Sequence, residues 1–256
     1  GPPPVARARK DRPGVVRLAA VASVQASVDD PIATHQSNFI GTLNICEAMR
    51  QAGVRRVVYA SSAAIYGNNG EGTAISEDTP KNPLTPYAAD KLASEHFLDF
   101  YRRQHGLEPV ILRFFNIYGP RQDPSSPYSG VISIFSERAQ KKLPITVFGD
   151  GEQTRDFVYV DDLVKILVQA VAEAKPRMEP VNVGFNRSTS VNDLATMLSE
   201  LLGWPLALTY DAPRSGDIRH SRAENSRLLA HFSLEKPTCF AEGLGQLLRS
   251  IDAGGR

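Results

Sequence analysis

From Val15 onwards, short apolar runs alternate with longer stretches of helical period, and no other feature constrains the fold as strongly. The first run, VVRLAA, ends in small residues, as a buried strand does where it emerges near a ligand. From about His35 to Ala52, Phe39, Leu43, Cys46 and Met49 fall on one stripe, and Gly53 follows as a helix stop. Arg55 to Ser61 (RRVVYAS) reads as a second strand. Thr85 and Pro86 form an N-cap and first-turn pair for a helix running to about His105 and closed by Gly106. Val110 to Phe114 (VILRF) is a third buried strand. Strand, helix, strand and helix in this order predict an α/β fold with a parallel sheet covered on both faces.

Further along, the pattern predicts a helix at Val131 to Gln140, a strand at Ile145 to Phe148, and a helix from Asp161 or Asp162 to about Ala172. Ser190 and Asp193 form a capping box opening a helix that ends before Gly203. Residues Gly1 to Gly14, rich in Pro and Arg without periodicity, read as an irregular arm. A chain of 256 residues, 42% hydrophobic, can bury one large core or two modest ones sharing a cleft.

The charges nearly balance, 29 Lys and Arg against 28 Asp and Glu, so no overall field attracts nucleic acid or an anionic membrane. Any anion must be bound locally. Cys46 and Cys239 lie far apart, without the spacing of a disulfide framework or a metal site, and a reducing cytoplasm fits them. No apolar run approaches the roughly 18 residues of a membrane span. Arg and Pro stand where a signal peptide has its apolar stretch.

Tyr87 and Lys91 are four residues apart near the start of a helix, so both project from one face. Chance alone supplies about one such pair in every four chains of this composition, and an exposed helix pair is the plain alternative. Context strengthens the pair, because it follows a strand ending in Ser61-Ser62, and ligands bind at the carboxyl ends of parallel strands. On its own, Ser61-Ser62 is more simply ordinary turn chemistry. A phenol with a pKa near ~10 is a poor base at neutral pH, and a nearby ammonium favours its phenolate. Lys91 is expected to do this for Tyr87, while Ser62 aligns a reacting hydroxyl for proton transfer. A hydride transfer at such a site needs a nicotinamide.

These residues and five further motifs resemble the extended short-chain dehydrogenases, most closely the NAD-dependent UDP-hexose 4-epimerases. In chain order the motifs are LAAVASV (Leu18 to Val24), NFIGT (Asn38 to Thr42), YASSAAIYG (Tyr59 to Gly67), PYAADK (Pro86 to Lys91), RFFNIYGPRQ (Arg113 to Gln122), FGDGEQTRDFVYVDD (Phe148 to Asp162) and APRSGD (Ala212 to Asp217). The resemblance implies a Rossmann-like doubly wound parallel sheet with a smaller C-terminal α/β substrate-binding domain. Residues 15–120 and 150–175 would form the NAD-binding part, and residues 121–149 and 176–256 the nucleotide-sugar part. By the same resemblance Leu18, Ala19, Ala20, Asn38 and Ser61 line the cofactor, and Tyr87 and Lys91 bind its nicotinamide ribose as well as acting in catalysis with Ser62. Asn116 holds the sugar diphosphate, Arg155 and Arg214 clamp its phosphates, and Asp217 contacts the uridine ribose. Planar guanidinium forks suit phosphate oxygens, although a surface ion pair is the commoner role of any single Arg. A homodimer through the helices at 35–52 and 86–105 is also implied.

Within the family, dehydratases and decarboxylases put an acidic residue two or three positions after the catalytic Ser or Thr, where eliminating water requires it. Here Ala63 and Ala64 follow Ser62, which favours epimerisation. Ser221 falls where the family places a gatekeeper beside the sugar C2 substituent, and its small size predicts that N-acetylated sugars are accepted.

Two departures qualify the resemblance. Arg17 stands where the family usually has His. The family's opening strand and glycine-rich turn, which bring the pyrophosphate to a helix N-terminus, are not among these residues. GNNGEG (Gly67 to Gly72) follows the catalytic strand and reads as a loop beside the site. The expectation is therefore a shortened chain lacking the first strands of its sheet, through a truncated product or a misassigned start. An inactive remnant that binds UDP-sugars, or another nucleotide-sugar dehydratase, decarboxylase or reductase, remains an alternative.

Overall fold

The computed structural model describes residues 14–69, 72–122, 130–172, 179–213 and 218–254, with side chains as far as residue 251. In chain order the elements begin with β1 (Val15–Arg17), α1 (Val24–Asp29), α2 (Pro31–His35), a π-helical turn (Gln36–Ile40), α3 (Gly41–Ala52) and β2 (Arg56–Ser62). A 3₁₀ turn (Ala63–Tyr66), α4 (Pro86–His105), β3 (Glu108–Phe114), β4 (Asn116–Tyr118), α5 (Val131–Gln140) and β5 (Ile145–Phe148) follow. The remainder is β6 (Thr154–Arg155), β7 (Phe157–Tyr159), α6 (Val160–Ala172), β8 (Val181–Val183), β9 (Thr189–Ser190), α7 (Val191–Leu202), β10 (Leu208–Asp211), α8 (Ser226–His231) and α9 (Phe240–Gly254).

Strands pair in the order β1-β2-β3-β8, all parallel, so their carboxyl ends share one edge. Alternate residues of β2 face opposite layers. Val57 and Tyr59 pack with Cys46, Met49, Leu98 and Tyr101 of α3 and α4, whereas Val58 joins Leu112, Leu163, Ile166 and Val181 beneath α6. Burial on both faces explains why β2 and β3 read as continuous apolar runs. A separate core gathers Ile132 and Phe135 of α5, Ile145 and Val147 of β5, Leu194 and Leu198 of α7, and Leu244 and Leu247 of α9.

Most of the expected helices and strands occur close to their expected bounds, and the caps explain why, but of the VVRLAA run only Val15–Arg17 forms a strand, with Val16 40% exposed. The Thr85 hydroxyl accepts from Ala88 N, Ser190 and Asp193 form a reciprocal capping box, and Gly53, Gly106 and Gly203 end their helices in the left-handed conformation. The helix expected from His35 begins earlier: Asp30 caps Pro31, and the π turn carries the chain without a break into α3. The polar run His35-Gln36-Ser37 masks that continuity. Val181–Val183 lies beyond the expected boundary at residue 175, yet it hydrogen-bonds to β3 as the fourth strand of the first sheet. Its three residues are wholly buried there.

Candidate active site

Ser62, Tyr87 and Lys91 converge at the carboxyl end of β2. Pro86 at the first helical position and the Thr85 cap fix where α4 starts, which sets Tyr87 in its first turn and Lys91 one turn later. Lys91 is 4% exposed, and its ammonium donates to the Ala60 carbonyl at 2.6 Å, lying 5.1 Å from the Tyr59 ring centre and 5.7 Å from that of Tyr87. Burial pushes the Lys91 ammonium down to about 8; Arg17 adds to the effect, and Asp90 and Glu95 oppose it.

Ser62 ends β2 and caps the following 3₁₀ turn, its hydroxyl accepting from Ala64 N at 3.2 Å. Burial raises the Tyr87 phenol above its ordinary pKa, and the neighbouring Ser62 hydroxyl pulls it back only in part. The expected lowering of Tyr87 by Lys91 therefore does not prevail. The ammonium is committed to a carbonyl, and desolvation of the phenol is the larger effect.

Lys91 fits the nicotinamide-ribose end of NAD. Its other N–H donors have no acceptor among the described residues, and a buried ammonium with spare donors beside a phenol suits vicinal hydroxyls. Leu18, Ala19 and Ala20 follow the end of β1 at the same sheet edge, with Leu18 51% exposed. Arg17 holds this segment: it donates to the carbonyls of Ala19 and, at 2.8 Å, Ser37. Asn38 and Ser61 have other commitments. The Asn38 amide binds both Val21 N (2.8 Å) and Val21 O (3.0 Å), so it shapes the loop after β1. Ser61, 3% exposed, gives its hydroxyl to Glu95 at 2.5 Å, because its side chain points into the protein where that of Ser62 does not.

The residues expected to face the substrate follow stepwise. Ser62 pairs in register with Phe114, two residues before Asn116, whose N–H donates to Asp156 O at 3.0 Å. Arg155 is the residue before Asp156, and its guanidinium reaches Thr154 O at 2.8 Å. Ser221 N donates to Thr154 O at 3.2 Å, which brings the proposed gatekeeper beside the Arg155 strand. Asp156 organises the junction, since its wholly buried carboxylate accepts from Phe185 N and Ala223 N, each at 3.0 Å. Arg214 and Asp217 lie outside the described residues. Among the described residues, Phe148, Gln153, Asp211, Pro213 and Arg219 line a groove of about 510 Å³.

Sequence reasoning missed the buried polar residues behind the site: Glu95, Arg113, Tyr66, Glu77 and Asn182. Two signals were available: Glu95 lies four residues after Lys91 on one helix face, and Arg113 interrupts an apolar strand. Gly67 has a local reason. Its φ is 60°, and an added Cβ would meet Asn82 O at 2.0 Å, so only Gly lets the loop bearing Asn82 close against this turn.

Known proteins resemble this chain in sequence and fold. A UDP-glucose 4-epimerase of Mycolicibacterium smegmatis is 40% identical over 233 residues, 91% of this chain and 74% of that protein. The structure of a UDP-glucose 4-epimerase from Thermotoga maritima with UDP-glucose superposes with a TM-score of 0.90 at 36% identity, covering 94% of this chain and 77% of that one. A UDP-N-acetylglucosamine 4-epimerase from Methanobrevibacter ruminantium, in complex with UDP-N-acetylmuramic acid, superposes with a TM-score of 0.89 at 34% identity over 94% and 77% of the two chains. Residues 6–184 match the NAD dependent epimerase/dehydratase family, and with the parallel sheet and the Ser62, Tyr87 and Lys91 cluster at its carboxyl edge, the chain belongs to that family.

Proposed function

We propose that this chain catalyses NAD-dependent 4-epimerisation of a UDP-hexose or UDP-N-acetylhexosamine through a transient 4-keto sugar. The observation that carries the reading is the convergence of Ser62, Tyr87 and the buried Lys91 at one sheet edge. Bound NAD supplies the hydride acceptor and donor, chemistry that no side chain provides. Tyr87 takes the proton from the sugar 4-hydroxyl and returns it, and Ser62 holds that hydroxyl in line. Lys91 binds the cofactor ribose through its spare donors and keeps positive charge near the phenol. Ala63 and Ala64, half-buried in the turn after Ser62, offer no acid for eliminating water.

Residues 15–120 and 150–175, joined by β8, serve the cofactor, and the remaining segments serve the nucleotide sugar. Asn116 and Arg155, with Arg214 and Asp217 beyond the described residues, grip the diphosphate and ribose. The groove at Phe148 and Pro213 accepts the base. Tight hold on the nucleotide with little charge beside Ser62 leaves the keto sugar free to turn over between hydride transfers. Two copies pair through α3 and α4, a reading supported by the exposed rings of Phe97 and Phe100.

The test is to assay NAD retention, UDP-sugar binding, and turnover of UDP-galactose and UDP-N-acetylgalactosamine by the chain itself. Copurifying NAD with interconversion of 4-epimers is expected. Binding of UDP-sugar without turnover, or a stable 4-keto-6-deoxy product, refutes the proposal.

A further inference from the structure

A polar chain runs through the interior beside the catalytic strand, and the proposed chemistry uses none of it. Its hub is Glu95, 5% exposed and one helical turn beyond Lys91 on α4. The carboxylate accepts the Ser61 hydroxyl at 2.5 Å and two nitrogens of Arg113, Nε at 3.0 Å and Nη2 at 2.7 Å. Arg113, 4% exposed, donates at 2.8 Å to the Tyr66 hydroxyl, which donates at 2.7 Å to Asn182 Oδ1 on β8.

Two consecutive residues of β2 are thus tied to two positions one turn apart on α4: Lys91 to Ala60, and Glu95 to Ser61. The next residue of β2 is Ser62, and α4 also carries Tyr87. Two successive staples between the elements fix the separation and rotation of the neighbouring Ser62 and Tyr87 hydroxyls. A buried ion pair of this kind gives little net stability compared with an apolar replacement, so stability alone is a weak reason for it. Arg113 holds the Glu95 carboxylate through two hydrogen bonds, and so keeps the Glu95 staple in place.

We propose that Glu95 is a positioning residue for the reaction, setting the Ser62–Tyr87 geometry through its bond to the Ser61 hydroxyl. The inference rests on the epimerase reading for its kinetic consequence but not for its geometry.

Ser61→Ala is the decisive variant, because it removes the staple while leaving the Glu95–Arg113 pair and the fold intact. In carbon-13 tyrosine-labelled chain, with Tyr87 assigned through Tyr87→Phe, the Tyr87 Cζ resonance should move in Ser61→Ala and return in Ser61→Thr, which keeps the hydroxyl. On the order of a tenfold loss of kcat should accompany it, with KM for the UDP-sugar and the melting temperature unchanged. Tyr66→Phe, which cuts the network only beyond Arg113, should leave the resonance in place. An unmoved Tyr87 resonance in Ser61→Ala overturns the inference, as does a loss of kcat explained by a lower melting temperature. Absence of turnover in the unmodified chain refutes the epimerase reading, and the resonance still decides this inference.

Discussion

The Lys91 ammonium lies 5.7 Å from the centre of the Tyr87 ring, yet its hydrogen bond goes to the Ala60 carbonyl at 2.6 Å. Its hydrogen bond therefore anchors α4 to β2 while leaving its charge beside the Tyr87 ring. Burial lowers the Lys91 pKa and raises that of Tyr87, so desolvation opposes the phenolate. Positive charge brought near the phenol by a bound cofactor has the right sign to lower the Tyr87 pKa.

Removing the phenol hydroxyl should abolish the base without disturbing binding. Tyr87→Phe is expected to lower kcat by about 10²- to 10⁴-fold, the usual range for general acid–base catalysis, with UDP-sugar affinity retained by calorimetry.

Lys91 also makes stability depend on pH. Its folded pKa of about 8 lies below that of an unfolded lysine, so between these values the unfolded chain binds more protons. The cost of burying the charge is present below about pH 8 and is relieved as pH rises towards that of a free lysine. The unfolding free energy of the chain minus that of Lys91→Met, from urea melts, should therefore increase from pH 7 to 10, by an amount on the order of 3 kcal/mol at most. A flat difference contradicts this assignment.

Gly67→Ala places a Cβ against the Asn82 carbonyl in a backbone conformation that L-residues avoid. A destabilisation of roughly 1–3 kcal/mol is expected from denaturant unfolding, because the loop leading to Tyr87 must shift.

Enlarging the residue beside Arg155 should discriminate between sugars. Ser221→Tyr is predicted to reduce kcat/KM for UDP-N-acetylgalactosamine at least about tenfold relative to UDP-galactose. Equal losses on both sugars refute a gating role for Ser221.

Phe97 and Phe100 are 41% and 46% exposed on α4 and meet edge to face with centroids 6.3 Å apart. Replacing both with Glu should convert the proposed dimer to a monomer by light scattering, since large apolar rings commonly sit at the core of an interface.

Much of the fold was legible because its determinants are local. The apolar runs of β2 and β3, the Thr85-Pro86 start of α4, the Ser190–Asp193 box and the closing glycines each act within a few residues of where they stand. The Tyr87–Lys91 spacing was readable for the same reason, one helical turn being a fixed geometry. β8 was harder to place, since a buried run of three residues becomes a strand only when β3 lies beside it.

The sequence by itself determined the α/β alternation, the helix ends and which residues to propose for catalysis. Only the tertiary structure decided what those residues touch. It committed Asn38 to Val21 and Ser61 to Glu95, sent the Lys91 hydrogen bond to Ala60, and assembled Glu95, Arg113, Tyr66 and Asn182 into one buried chain. Those bonds join residues up to 116 positions apart, and where a buried donor finds its acceptor depends on which elements pack together, a property that no local window of sequence contains.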